Sequence, residues 1–336
     1  MRLVAVQRLK PGMVVGKTIL GSNGQILLRQ GVELTERYIQ HLRDHFIEVV
    51  YIATGSGVTA HDVISDQTRI KALRETKRIL GEVKRGAELE MEQVQQVLIG
   101  IIDELLLHDD VMVNLVDIRS YDEELFHHSV NVAILSVIVG IELKYSEKRL
   151  KDLAAAALLH DIGKIVDEDA TLHLVIGRRI LREHNRVGRR IADAVFQHHE
   201  RWDGGGFPQG LAGEEIAEEA RILQVTNVFD NMSANSRHPL EEVIEFLMEG
   251  SGSAFEPDTV RAFLNCVSFY PVGTPVELNT GERGIVVRAN RGFPTRPVVM
   301  VTRNAFGPLD PFYELDLRAH PAHFVMKILE SEAWEV

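Results

Sequence analysis

The 336-residue chain has a single cysteine, Cys266, which excludes an intrachain disulfide and fits a reducing, cytoplasmic setting. With one thiol there is also no basis for a cysteine-rich structural zinc cage. Long apolar runs are scarce. The longest, residues 130–141, contains Asn131, Ser136 and Gly140 and is too short to span a bilayer, so no membrane insertion is expected. The N-terminus, MRLVAVQRLKPGM, has no apolar stretch behind its basic residues and so does not resemble a secretion signal. Positive charge is in deficit. A net charge of −12 opposes non-specific approach to nucleic acid and to anionic membranes. Internal repeats and low-complexity tracts are absent.

What remains is an ordinary globular balance, 45% hydrophobic and 26% charged, long enough for two domains and a small third. Residues 1–53 read as a small α/β module. Stretches 14–20 and 25–28 flank the turn signal Ser22-Asn23-Gly24, Thr35 can cap a helix through about His45, and 47–52 is strand-like. Residues 53–60 (ATGSGVTA) form a linker, and 62–120 is a helical linker region with Ile70, Leu73 and Ile79, then Val94, Val97, Leu98, Ile101 and Leu105, at helical spacing. Residues 121–268 read as successive helices, at 124–142, 147–160, 171–184, 187–199, 215–233, 239–249 and 257–266. Residues 269–336 are a β-rich extension, with a hairpin from 275–278 and 284–288 and a strand at 297–301.

Fourteen histidines are present, and His127, His128, His160, His173, His184, His198 and His199 fall in one central stretch. His160-Asp161 ends an alanine- and leucine-rich helix, where one imidazole and one carboxylate can serve neighbouring metals and the carboxylate can bridge them. His198-His199 ends the next helix but one. Glu124 and His128 share a helical face, and His173 opens a helix. Each piece alone has an ordinary explanation as a cap, a satisfied histidine or a surface pair. In combination and order they point to a metal centre. Imidazole and carboxylate ligands suit iron, manganese or zinc.

His128-Ser129, His160-Asp161-Ile162-Gly163-Lys164, His173 with Gly177, Ile180 and Leu181, and His198-His199-Glu200-Arg201-x-Asp203-Gly204-x-Gly206-Phe207-Pro208 together resemble the HD-GYP domain. The resemblance implies a mainly α fold, an HD-superfamily helical bundle between the α/β module and the β-rich tail. It also implies hydrolysis of cyclic di-GMP, or a related cyclic dinucleotide, at two divalent transition metals, iron first and manganese or zinc as alternatives. Carried over by position, one metal takes His128, His160 and Asp161, and a second takes Asp161, His173, His198 and His199. Glu124 matches a glutamate ligand of three-metal members, and Lys164 the active-site lysine. Lys164, Arg201 and Arg237 form the substrate-binding set. Signalling proteins and a second copy of the chain are the candidate protein partners.

The pattern departs from the family in four places. The late metal-binding aspartate falls on Asn227; Asp230, one turn on, reads either as a substitute ligand or as a non-ligand in its usual family place. The GYP tyrosine is Phe207. Only about a dozen residues separate Asp161 from His173, and the arginine-containing RPYR string is broken and displaced at Ser236-Arg237-His238-Pro239. Three functions therefore stand: a cyclic-dinucleotide phosphodiesterase, a degenerate member that binds nucleotide or protein partners without turnover, and a related metal-dependent phosphohydrolase acting on another nucleotide. Arginines 178, 179, 182, 186, 189, 190 and 201 make a local basic zone, read either as an attractor for a dianionic dinucleotide or as solvated helix faces.

Overall fold

The computed structural model describes residues 2–21, 25–53, 63–107, 113, 124–183, 187–234, 238–270 and 272–329. The turn 22–24, the linker 54–60 and Arg237 lie outside the described residues, as do the side chains of Glu124 and residues 184–186.

The N-terminal module pairs β1 (Arg2–Ala5) antiparallel with β4 (Val49–Ile52), and β2 (Ile19–Leu20) with β3 (Ile26–Leu28). Between them α1 (Glu36–Asp44) starts where Thr35 accepts a hydrogen bond from the Tyr38 amide. Val15, Leu34, Ile39, Leu42 and Val50 give this module its own core.

The helical expectation for 62–107 resolves into two helices, α2 (Asp66–Lys84) and α3 (Met91–Leu106), broken at Gly86, whose φ of 91° suits only glycine. Both present apolar stripes inward, and they join one core with α4 (Glu124–Glu142), α5 (Glu147–Leu159), α6 (Leu172–Glu183), α7 (Arg189–Gln197) and α8 (Glu218–Ser233). A second cluster packs α9 (Leu240–Glu249) and α10 (Pro257–Asn265) on α4 and α8. Helix α4 is buried from Val130 through Val139, which marks it as the bundle's central element. Its 18-residue window Leu125–Glu142 is long and apolar enough to cross a membrane by length and composition, contrary to the expectation from the shorter run 130–141. Within the protein 78% of that window is buried, and a core helix passes the same test.

The C-terminal extension is a five-stranded antiparallel sheet in which the strands at 307–316, 298–304, 283–288, 275–278 and 325–328 lie side by side in that order, over its own core of Val276, Val286, Val299, Val301 and Leu317. The hairpin of β5 (Pro275–Leu278) and β6 (Arg283–Arg288) and the strand β7 (Val298–Asn304) match the sequence reading. Two further strands, β8 (Gly307–Asp316) and β9 (Val325–Ile328), are additions to it. Pro308 and Pro311 hide β8 from a strand pattern, and both are tolerated because β8 is an edge strand, where a missing N–H costs little.

Close approach of the 3-10 turn Ile162–Ile165 to α6 sets the geometry of the site. A Cβ on Gly163 would overlap the carbonyl of His173 and crowd the amide of Gly177. Gly163→Ala should therefore lower unfolding stability by about 1–3 kcal/mol. Gly100→Ala, on the exposed face of α3 with open space around it, should raise stability by about 0.5–1 kcal/mol. Urea denaturation of both variants checks the pair; equal effects would contradict the packing at Gly163.

Candidate metal centre

Two histidines are aimed by the same local device. Helix α5 ends at Leu159 and α7 at Gln197, so His160 and His198 occupy the C-cap positions. The last carbonyls of a helix have no intrahelical donor. His160 Nδ1 donates to the Ala157 carbonyl at 2.7 Å, and His198 Nδ1 to the Val195 carbonyl at 2.8 Å. His173 follows suit, with Nδ1 2.8 Å from the Asp169 carbonyl. Each bond fixes the proton on Nδ1 and turns a bare Nε2 lone pair inward.

Those lone pairs converge on Asp161. Its Oδ2 lies 3.3 Å from His160 Nε2 and 3.7 Å from His128 Nε2, and its Oδ1 3.4 Å from His173 Nε2 and 3.6 Å from His198 Nε2. The connector from Asp161 to His173, short for the family, is long enough to bring them together. Two groups result, His128, His160 and Asp161, and His173, His198 and His199; within each, the ligand atoms lie within 4.8 Å of one another.

The donor chemistry fits metal ions. His173 Nε2, His198 Nε2 and Asp161 Oδ1 are buried without hydrogen-bond partners among the described residues, an expensive arrangement unless something else satisfies them. His128 Nε2 stands 3.1 Å from His160 Nε2. With both Nδ1 atoms carrying protons, this contact sets lone pair against lone pair, which a cation or a shared proton relieves. Nitrogen and carboxylate oxygen donors without thiolate match iron, manganese or zinc.

Electrostatics agree with that arrangement. Burial alone would raise the Asp161 carboxyl, but the positive charge beside it, at His160 and Lys164, holds it well below the usual carboxylate range. Lys164 Nζ donates to Asp161 Oδ2 at 2.6 Å from a partly exposed position at the rim. Burial lowers His173 and His198, and burial with the neighbouring His198 and His173 rings drives His199 down to about 2.

The remaining expected residues divide. Asn227 is buried on α8, and its Oδ1 accepts from Asn231 Nδ2 at 2.7 Å. It is Asp230 that meets a histidine, its Oδ2 2.6 Å from His128 Nδ1. Asn131 and Arg69 extend that contact and were not read from the sequence as site residues. The available signal was their position: Asn131 interrupts the apolar run of α4, and Arg69 lies in register with Ala72, Leu73 and Thr76 on the buried face of α2. Arg201 is engaged within its own loop by a two-pronged pair to Asp203 at 3.1 and 2.7 Å. Buried Glu200 ties that loop down, accepting from the Gln209 and Leu211 amides. Phe207 stacks on His199, centroids 5.0 Å apart and planes at 22°. In the arginine zone, Arg178 lies 3.7 Å from Asp193 and over the Phe196 ring, Arg189 bonds Asp193 at 3.1 Å, and Arg190 lies 3.6 Å from Glu219.

An HD domain family model matches residues 125–232, the span that contributes all six clustered candidate ligands. The chain carries an HD-GYP domain. The model of a KOW domain associated with HD domains matches residues 275–335, the sheet that follows the HD-GYP domain. A cyclic di-GMP phosphodiesterase of Pseudomonas aeruginosa is 29% identical over 275 residues, covering 75% of this chain and 66% of the relative. A cyclic di-GMP phosphodiesterase of Thermotoga maritima is 35% identical over 164 residues, covering 43% of this chain and 45% of the relative. The chain thus spans two thirds or less of the length of these curated relatives. A solved HDG"Y"P protein from Bdellovibrio bacteriovorus shares the fold, with a TM-score of 0.50 at 15% identity, covering 78% of this chain and 97% of that one.

The neutral imidazoles of the HD-GYP domain give metal-free protein a defined acid response. A histidine whose folded pKa lies below its unfolded value of 6.5 leaves the unfolded chain with more bound protons. That stability is full above about pH 6.5 and is lost as pH falls below it, by at most about 1.4 kcal/mol per pH unit for each such histidine. The Asp161 carboxylate, with its lowered pKa, adds a loss of the same sign only below its unfolded value of 3.8. Urea midpoints of chelator-treated protein should be flat from pH 8 to 7 and fall from pH 6.5 to 5; a flat profile throughout would contradict the buried neutral histidines.

Proposed function

We propose that this protein is a metal-dependent phosphodiesterase hydrolysing cyclic di-GMP or a related cyclic dinucleotide at a binuclear site. The observation that carries the reading is the convergence of His128, His160, His173, His198 and His199 around the buried, ionised Asp161, with Lys164 at the rim. His128, His160 and Asp161 would hold one cation and His173, His198 and His199 the other, Asp161 presenting one oxygen to each. Divalent cations, when bound, polarise a phosphodiester and a nearby water. The protein's own part is positional. The backbone-anchored imidazoles keep their lone pairs aimed, burial excludes bulk water, and the Lys164 ammonium can take negative charge from a phosphate oxygen. In the overall reaction one ring P–O bond breaks; water supplies hydroxyl to phosphorus and a proton to the departing ribose oxygen.

The second reading, a cyclic-dinucleotide-binding or protein-binding member without turnover, draws on two side chains. Phe207 stacks on His199 but has no hydroxyl to offer substrate, and Asn227 brings no charge where the family has an aspartate. Purified protein should contain transition metal, and a His198→Ala/His199→Ala double variant should lose most of the metal of the second group. Chromatography of cyclic di-GMP incubated with wild type should show a linear or mononucleotide product. Metal without product would favour the second reading; equal metal in wild type and double variant would refute the site.

Asn227→Asp separates two placements of that residue. Beside a metal, the added carboxylate should raise metal content per chain, and metal should raise the variant's melting temperature more than that of wild type. Away from one, a buried unpaired carboxylate is costly, and the variant should melt lower at every metal concentration.

A further inference from the structure

A buried arginine outside the HD domain reaches the metal centre through two side chains. Arg69 lies on α2, ahead of the matched residues 125–232, and only 8% of it is exposed. Its Nη1 donates to Asn131 Oδ1 at 2.6 Å. That contact leaves the Asn131 amide nitrogen facing α8, where it donates to Asp230 Oδ1 at 3.1 Å. The other Asp230 oxygen is 2.6 Å from His128 Nδ1, and His128 Nε2 faces His160 Nε2 at 3.1 Å. Asn131, Asp230, His128 and His160 are 6%, 3%, 3% and 0% exposed, so this is a dry relay.

Each member removes a freedom from the next. An arginine can only donate, so Asn131 must turn its oxygen toward α2 and its nitrogen toward α8. A carboxylate can only accept, so His128 must carry its proton on Nδ1 and present a bare Nε2 to the centre. His128 Nδ1 contacts a carboxylate on another helix, whereas His160, His173 and His198 use nearby backbone carbonyls. Its aim therefore depends on the packing of α2, α4 and α8 together.

We infer that Arg69 is a positioning residue for metal binding: through Asn131 and Asp230 it fixes the tautomer and orientation of His128, making the helix pair α2–α3 part of the functional unit. The inference rests on the metal reading above. It also gives the N-terminal half a physical route to the centre, because displacement of α2 would release Asn131 and with it the Asp230–His128 contact.

Cobalt(II) titration of metal-free full-length protein, followed by visible absorption, tests this. Arg69→Met should weaken cobalt binding by ~10–100-fold, the usual range for loss of a ligand's supporting partner, and shift the absorption band. Arg69→Lys, which keeps a donor, should recover part of the loss. In a His128→Ala background, Arg69→Met should add no further loss, because the residue through which it acts is gone. Should Arg69→Met fail to fold, Asn131→Leu breaks the same relay and carries the same expectations. Unchanged affinity and spectrum in the folded variant, or a loss that adds fully to that of His128→Ala, would overturn the inference. Absence of cobalt binding in wild type would instead overturn the metal reading on which it stands.

Discussion

A carboxylate sealed inside a helical bundle is the constraint around which this molecule is organised. Asp161 is 1% exposed and ionised. An isolated charge in such a place costs several kcal/mol, and the protein tolerates it only where compensating positive charge or donors converge. Lys164 supplies one such charge directly. The surrounding imidazoles cannot all do so, because burial and mutual repulsion keep His173, His198 and His199 neutral. The set is therefore rich in electron pairs and short of cations, which is the electrostatic condition for holding metal.

The bundle's architecture follows from that need. Helices α5 and α7 both terminate at the centre, and their unsatisfied C-terminal carbonyls orient His160 and His198. Ala154 to Ala157, all fully or nearly fully buried, keep α5 slim against its neighbours, and Gly163 allows the following turn to close on α6. Helix α4 brings His128, whose Nε2 lies 3.1 Å from His160 Nε2. Arg69, Asn131, Asp230 and His128 form one connected polar chain through this core.

The flanking modules stand apart from this chemistry. The N-terminal α/β module and the C-terminal sheet each have a hydrophobic cluster of their own, and neither contributes to the two ligand groups. Helices α2 and α3 differ from both: their apolar stripes merge with the core of the HD-GYP domain, and Arg69 reaches into its polar interior. A region that reads as connection by sequence is thus a structural part of the site.

The order of His128, His160-Asp161, His173 and His198-His199, each at a helix end or on a helix face, was legible because short motifs and helical periodicity are local properties. So were the mainly α class and the strands β5 to β7. Sequence could not decide between Asn227 and Asp230 as the α8 residue that meets His128, since both sit on one helix face and only the packing of α8 against α4 makes the choice. Nor could it reveal that Arg201 pairs with Asp203, that Phe207 lies flat on His199, or that Arg69 supports a histidine 59 positions later. Those contacts join residues through space, where burial strips away water and forces each polar group to take the partner that packing leaves within reach.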